Sequence, residues 1–199
     1  MTPSRTPDAS RRSERSRRAI FGASIELVGE VGYPKLTIEA IAARAGVGKQ
    51  TIYRWWPSKA AVLLDAFTAT TEEEYRDGVP DTGDLSADLK SVLRATVDEF
   101  SDPAFEAPYR ALAAAGAADP ELSRQFVERL TEPGLAIYIR RLESAREAGD
   151  IEVGTDLRVA VDMLLSPFFQ RWLMGSGELS HRFTDTLVDL VLAGLRPRV

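Results

Sequence analysis

The segment Thr37–Lys59, TIEAIAARAGVGKQTIYRWWPSK, carries side chains whose types and spacing suit one kind of chemistry. Lys49 can donate to the O6 and N7 of guanine. Gln50 can pair bidentately with adenine. Thr51 can bond a base edge or a phosphate, or touch a thymine methyl. The three are consecutive, and Arg54 and Trp55 follow one turn later. Gly48 lets a backbone approach closely. Tyr53 joins an apolar ring, which can pack, to a hydroxyl that can reach a phosphate. Thr37 and Lys59 stand at helix starts, where unpaired N–H groups favour anions. Arg44, near the end of its helix, reads either as a solvated partner of the helix dipole or as a phosphate contact. The candidate DNA-facing set is therefore Thr37, Arg44, Gly48, Lys49, Gln50, Thr51, Tyr53, Trp55 and Lys59. Phosphate contacts set register and base contacts set sequence.

Other chemistry is largely excluded. The 199 residues include no Cys and one His. That removes disulfides, thiolate metal sites, Cys nucleophiles and any His–His metal motif. No phosphate loop or assembled acid–base set occurs, so no catalytic residue, metal ligand or cofactor is assigned, and the chain is not read as an enzyme. His181 reads as a surface or capping residue, and Glu72-Glu73-Glu74 as a solvated helix face. No apolar run approaches the roughly 18 residues that span a bilayer.

The net charge of −5 at first argues against nucleic acid, but it is an average. Residues 1–60 hold 11 Lys/Arg and 5 Asp/Glu, a net of +6, and the remainder carries −11. A basic third on an acidic remainder suggests two jobs in one chain. The first residues, rich in Arg, Ser, Thr and Pro, offer little to bury, so residues 1–12 are expected to be a disordered arm. Such arms can reach into a minor groove or run along phosphates.

These side chains need helices to position them, and nearly every segment has helical periodicity. Ile20, Ala23 and Leu27 mark a first helix from about residue 13 to Val28, closed by Gly29 and Gly32. Ile38–Ala45 and Lys49–Trp56 are short helices joined by Ala45-Gly46-Val47. Ser58 caps a fourth, and Arg76–Asp84 reads as a linker. Longer helices follow, opened by Asp102-Pro103 and Asp119-Pro120 and broken near Pro133-Gly134 and Pro167. The expectation is an all-α fold of about nine helices, with a DNA-binding domain over 13–75 and a helical bundle over 76–199.

A helix-turn-helix needs a small residue where its helices cross, a turn residue tolerant of positive φ, and apolar anchors behind. Ala42, Gly46 and the set Ile38, Ile41, Val47 and Ile52 meet these needs, with Trp56 also read as core. The second helix of such a unit lies in the major groove. Residues from about 15 to 68, including Gly32, Leu36-Thr37, Ile41-Ala42, Ala45-Gly46-Val47, Thr51-Ile52-Tyr53 and Lys59, resemble the DNA-binding domain of the tetracycline-repressor family. Trp55 and Trp56 depart from the tetracycline repressor itself. The resemblance implies a three-helix DNA-binding domain, a helical regulatory domain and a homodimer on a palindromic operator.

In the acidic part, Phe100, Phe105, Tyr109, Leu112, Phe126, Tyr138, Met163, Phe168 and Trp172 are the candidate lining for a small apolar or aromatic effector. The last two helices are apolar on more than one face. Leu164, Phe168, Phe183, Leu187, Leu190 and Val191 are the candidate dimer contacts, within 156–174 and 180–195. The expected function is a homodimeric repressor of transcription, released from double-stranded DNA by its effector. It is expected to act in the cytoplasm at the nucleoid, with no membrane partner.

Overall fold

Polar caps and prolines divide the chain into helices. The computed structural model describes the backbone of residues 9–74 and 78–197 and the side chains of residues 13–71 and 78–197. Within them the helices are α1 (Ala9–Val31), α2 (Ile38–Ala45), α3 (Lys49–Tyr53), α4 (Lys59–Glu74), α5 (Leu85–Ser101), α6 (Pro103–Ala118), α7 (Pro120–Phe126), α8 (Glu132–Ala148), α9 (Leu157–Met174) and α10 (His181–Leu195). A π-helical turn, Val127–Thr131, joins α7 to α8, so the described residues form nine continuous helical stretches and no strand. Pro133 lacks an N–H and would clash with the preceding turn, and the wider turn lies just ahead of it.

The chain forms two compact units. One holds the described residues up to Thr70 together with Ala107–Val127, and the other holds Thr71–Glu106 and the residues from Glu128 onward. Assigning Ala107–Val127 to the first unit differs from a simple cut near residue 76. Two contacts explain it. Pro108 packs on Gly29, and Tyr109 meets the ring of Phe67 edge-on at 5.6 Å.

In the first unit, α1 packs on α2, and Ile20, Leu27 and Val28 of α1 and Ile41 of α2 are buried. Two details of α1 differ from expectation. It begins at Ala9, so residues 9–12 are helical where an arm was expected; the rest of that arm lies outside the described residues, as do the side chains of Glu72-Glu73-Glu74. It also continues past Gly29 to Val31. A Cβ on Gly29 would lie 3.2 Å from Cγ of Pro108, so this glycine serves a close approach and not a helix end.

In the second unit, Leu85, Leu89 and Leu93 of α5, Leu135, Tyr138 and Leu142 of α8, Val161, Leu164 and Leu165 of α9, and Val188 and Val191 of α10 form one core. Part of the expected dimer face is used inside the protomer. Leu164, Phe168 and Val191 are buried within the protomer, Leu187 packs against its core, and Arg171 covers the ring of Phe183 at 3.6 Å. Of the six, Leu190 alone is exposed, at 68%. The core register of α10 is Thr184, Val188 and Val191. On α9, Val159 and Met163 face outward, with Ser166 and Gln170 on the same stripe.

One buried ion pair ties the residues before α5 to the bundle. Asp88 on α5 accepts from Nη2 of Arg141 on α8 at 2.8 Å. Its carboxylate also accepts from the Thr82 hydroxyl at 2.7 Å and the Thr82 amide at 3.1 Å, while Nε of Arg141 donates to the Pro80 carbonyl. Burial alone would raise the Asp88 carboxyl, but the hydrogen bonds from Thr82 and Arg141 outweigh it and hold the group below its ordinary value. A carboxyl depressed in the folded state contributes stability above its unfolded pKa, and that stability is lost as pH falls through the folded value. Asp88→Asn leaves Arg141 buried without its counter-charge. Urea unfolding at neutral pH is expected to show a loss of about 3 kcal/mol. The variant is also expected to lose less stability than the parent below about pH 4.

Candidate nucleic-acid interface

A helix as short as α3 cannot be stable alone, so its neighbours must hold it. Thr37 caps α2, its Oγ1 accepting from the Ala40 amide at 3.1 Å. Gly46 then turns the chain at φ 66°, ψ 33°, the left-handed region in which a Cβ is disfavoured. Its N–H and that of Val47 close the end of α2 on Ala43 and Ala42. The chain re-enters helix at Lys49, and Ile52, fully buried, anchors it. The regular helix stops at Tyr53 and not at Trp56. The Trp55 amide bonds the Ile52 carbonyl at 2.9 Å, tightening the last turn, and Pro57 has no N–H to continue it. Trp56 is core as expected. It meets Phe21 edge-on at 5.5 Å, and its Nε1–H donates to Asp65 on α4 at 2.6 Å.

With Ile52 and Trp56 inward, Lys49, Gln50, Tyr53, Arg54 and Trp55 are exposed on α3 and the turn after it, and Thr51 is half-buried. Trp55 is 59% exposed, with the Arg54 guanidinium 5.3 Å from its ring centre. Lys49 lies 3.9 Å from Glu39, a loose surface pair that leaves its ammonium accessible. Gly48 is extended, and a Cβ there would meet nothing within 4 Å. The fold itself does not require glycine at that position. This row of donors over an apolar anchor can present hydrogen bonds to base edges and cations to phosphates.

Two of the candidates are otherwise engaged. Arg44 forks onto Glu30 of α1 at 3.0 and 2.9 Å and reaches Glu26 at 3.2 Å. The bond from Arg44 lowers the Glu30 carboxyl, and both acids raise the guanidinium. Arg44 thus braces α2 on α1, with its charge already met. Lys59 departs further from expectation. Its ammonium donates to the carbonyls of Tyr33 at 2.7 Å, Leu36 at 2.9 Å and Pro34 at 3.4 Å, and sits 4.4 Å from the Tyr33 ring centre. An ammonium has three donors, and here each has an acceptor. Burial pushes this lysine below its ordinary value. The spacing of Glu26 and Glu30 on one face of α1 could have signalled the Arg44 brace. The carbonyl cluster under Lys59 leaves no side-chain pattern.

The nine candidate effector residues are divided between the two units. Phe100 is ringed edge-on by Phe105, Phe168, Phe169 and Trp172 at 5.2–5.8 Å, and the Trp172 indole donates to Glu106 at 2.9 Å. Tyr138 is buried in the same unit, while Met163 is 57% exposed on its surface. Tyr109 stacks edge-on with Phe67 and Phe126 in the first unit, where Leu112 is also buried. Among the described residues, no helix is long and apolar enough to cross a membrane.

Lys59→Met is expected to lower the melting temperature by several degrees and to weaken DNA binding. It is expected to leave unchanged the slope of log affinity against log salt, since no phosphate contact is lost. Circular dichroism melts and anisotropy titrations over a salt series check both; a slope smaller by about one would return this lysine to the phosphates.

Comparison with known proteins agrees with this geometry. The family described as "Bacterial regulatory proteins, tetR family" matches residues 20–66, and "Tetracyclin repressor-like, C-terminal domain" matches residues 79–191. The chain is 32% identical to the uncharacterized HTH-type transcriptional regulator YdeS of Bacillus subtilis, over 93% of this chain and 92% of that one. It is 30% identical to the DNA-binding transcriptional repressor TetR of Mycobacteroides abscessus, over 91% and 94%. Among solved structures, the TetR family transcription regulator SCO0332 superposes with a TM-score of 0.74 at 33% identity, covering 92% of this chain and 99% of that one.

Proposed function

The chain belongs to the tetracycline-repressor family of bacterial transcriptional regulators, and we propose that it is a homodimeric repressor, released from a palindromic operator by a small apolar or aromatic effector. The observation that carries the DNA-reading role is the exposed row Lys49, Gln50, Tyr53, Arg54 and Trp55 over the buried anchors Ile52 and Trp56. Lys49 and Gln50 read bases, while Thr37, Thr51, Tyr53 and Trp55 hold the backbone, with Gly48 leaving room for it. The activity is binding without turnover, exerted on the chromosome in the cytoplasm. Similarity to a named repressor supports that direction of control.

A two-fold dimer suits a palindrome with half-sites about 34–36 Å apart or a multiple of that. The outward stripe Val159, Met163, Ser166 and Gln170 of α9, with Leu190 of α10, is the seam this reading favours. Its spacing of four, three and four residues is that of a helix–helix contact. For the effector, the edge-on rings around Phe100 offer faces and edges that an aromatic guest can replace ring for ring. Such a guest releases DNA only if it binds the DNA-incompetent conformation more tightly. A coupling of ~1–3 kcal/mol would change operator affinity about 5–150-fold.

Selection of bound duplexes from random sequence is expected to return an inverted repeat. Lys49→Ala or Gln50→Ala is expected to relax preference at one or two positions per half-site, at about 1–3 kcal/mol of discrimination each. Failure to enrich any sequence would overturn the reading. Light scattering on the eluting protein is expected to give twice the chain mass, and Met163→Glu with Leu190→Glu to return it to the monomer.

A further inference from the structure

Sulfur is placed unusually in this chain. There is no Cys, and of the three Met residues one is Met1, outside the described residues. The other two, Met163 and Met174, both lie on α9 and are 57% and 71% exposed. Methionine is ordinarily among the more buried residue types, yet neither of these enters the core. They stand eleven residues apart, three helical turns, so they share one side of α9 at a separation of about 16 Å. That side is the outward stripe of Val159, Met163, Ser166 and Gln170, which ends on Leu173 and Met174 in the last turn.

A thioether and its sulfoxide are different surfaces. The unbranched, polarisable thioether packs into irregular apolar gaps, while the sulfoxide carries a dipole that needs water or a hydrogen bond. With no thiol in the chain, sulfur oxidation by a peroxide falls on methionine alone. The sulfur lone pair attacks one oxygen of hydrogen peroxide. An S–O bond forms as the O–O bond breaks, and the other oxygen leaves as water after proton transfer. The sulfur loses two electrons and the peroxide gains them. We propose that Met163 and Met174 form a sulfoxidation site, and that their oxidation by a peroxide opens the seam between two copies of this chain and so releases DNA. This rests on the reading of α9 as the dimer seam and adds a regulation which that reading does not require. Two-fold symmetry brings four thioethers to one interface, two from each copy. Met174, the last residue of α9, stays reachable at the end of the seam. Met163 lies within it and is oxidised when the copies part, after which its sulfoxide opposes their return. Reductases reverse methionine sulfoxide, so the change is a switch and not only damage.

The test uses the full chain, as the parent and as M163L/M174L, in which leucine keeps the apolar volume without the sulfur. Each is treated with hydrogen peroxide, quenched with catalase, and followed by peptide mass spectrometry, light scattering over a dilution series, and anisotropy on a duplex selected by the untreated parent. The parent is expected to gain one oxygen at each of Met163 and Met174. Its dimer dissociation constant is expected to rise about tenfold or more, because each sulfoxide loses its water when the seam closes. Affinity for the duplex is expected to fall with it. Methionine sulfoxide reductases of both stereospecificities are expected to restore both properties. The leucine variant is expected to dimerise and bind DNA like the untreated parent, before and after peroxide. If either methionine stays unoxidised, or both gain oxygen and the dimer constant is unchanged, the inference fails and the dimer reading stands. If the leucine variant loses dimer and duplex to peroxide as the parent does, the sensitive residue is another, such as the exposed Trp55, and the inference again fails. A parent that is monomeric before treatment at every concentration defeats the dimer reading and the inference with it.

Discussion

A five-residue helix such as α3 cannot form alone, because nucleation fixes several residues for little hydrogen bonding. The DNA-reading end of the protein depends on how that shortfall is met. Ile52 and Trp56 are buried four residues apart, and the Trp56 indole is fixed at both ends, by Phe21 on α1 and by Asp65 on α4. Once those two anchors are inward, the exposure of Lys49, Gln50, Tyr53, Arg54 and Trp55 follows from helical geometry. The polar side chains need no fixed partners of their own, which leaves them available to another molecule.

The braces around this anchor divide the cations by task. Arg44 and Lys59 are spent internally, one on the carboxylates of α1, the other on three carbonyls around Tyr33–Leu36. Both hold the frame in which Thr37 and α3 sit. Lys49, Arg54 and the arginines of α1 lie outside that frame. Net charge alone cannot separate the groups, since a positive residue counts equally whether it meets a phosphate or a backbone carbonyl. The second unit handles burial in another way, with Asp88 and Arg141 saturating one another and fastening residues 80–82 to the bundle.

Much of this was legible in the chain. The spacing of Ala42, Gly46 and Ile52, with Thr37 ahead and Pro57 behind, is local, and local rules for caps, turns and periodicity decide such segments. The caps at Asp102 and Asp119 are local in the same sense, and their side chains accept the expected amides. Gly29 was misread because a glycine near a helix end resembles a stop signal. Its reason lies 79 residues away in Pro108. The apolar residues of α10 were offset because the helix has more of them than one face can hold, and only packing selects Thr184, Val188 and Val191 as the inner set.

By itself, then, the sequence determined the all-helical class and the helix-turn-helix, and it supplied the side chains proposed to read DNA. Each of these is set by residues within about two turns of one another, where sterics and hydrogen bonding act along the chain. Tertiary structure alone decided which apolar face of α9 and α10 is core, why α1 runs through Gly29, and that Arg44 and Lys59 brace the fold. Those outcomes depend on which distant atoms arrive within 3–4 Å, and neither residue type nor spacing records that.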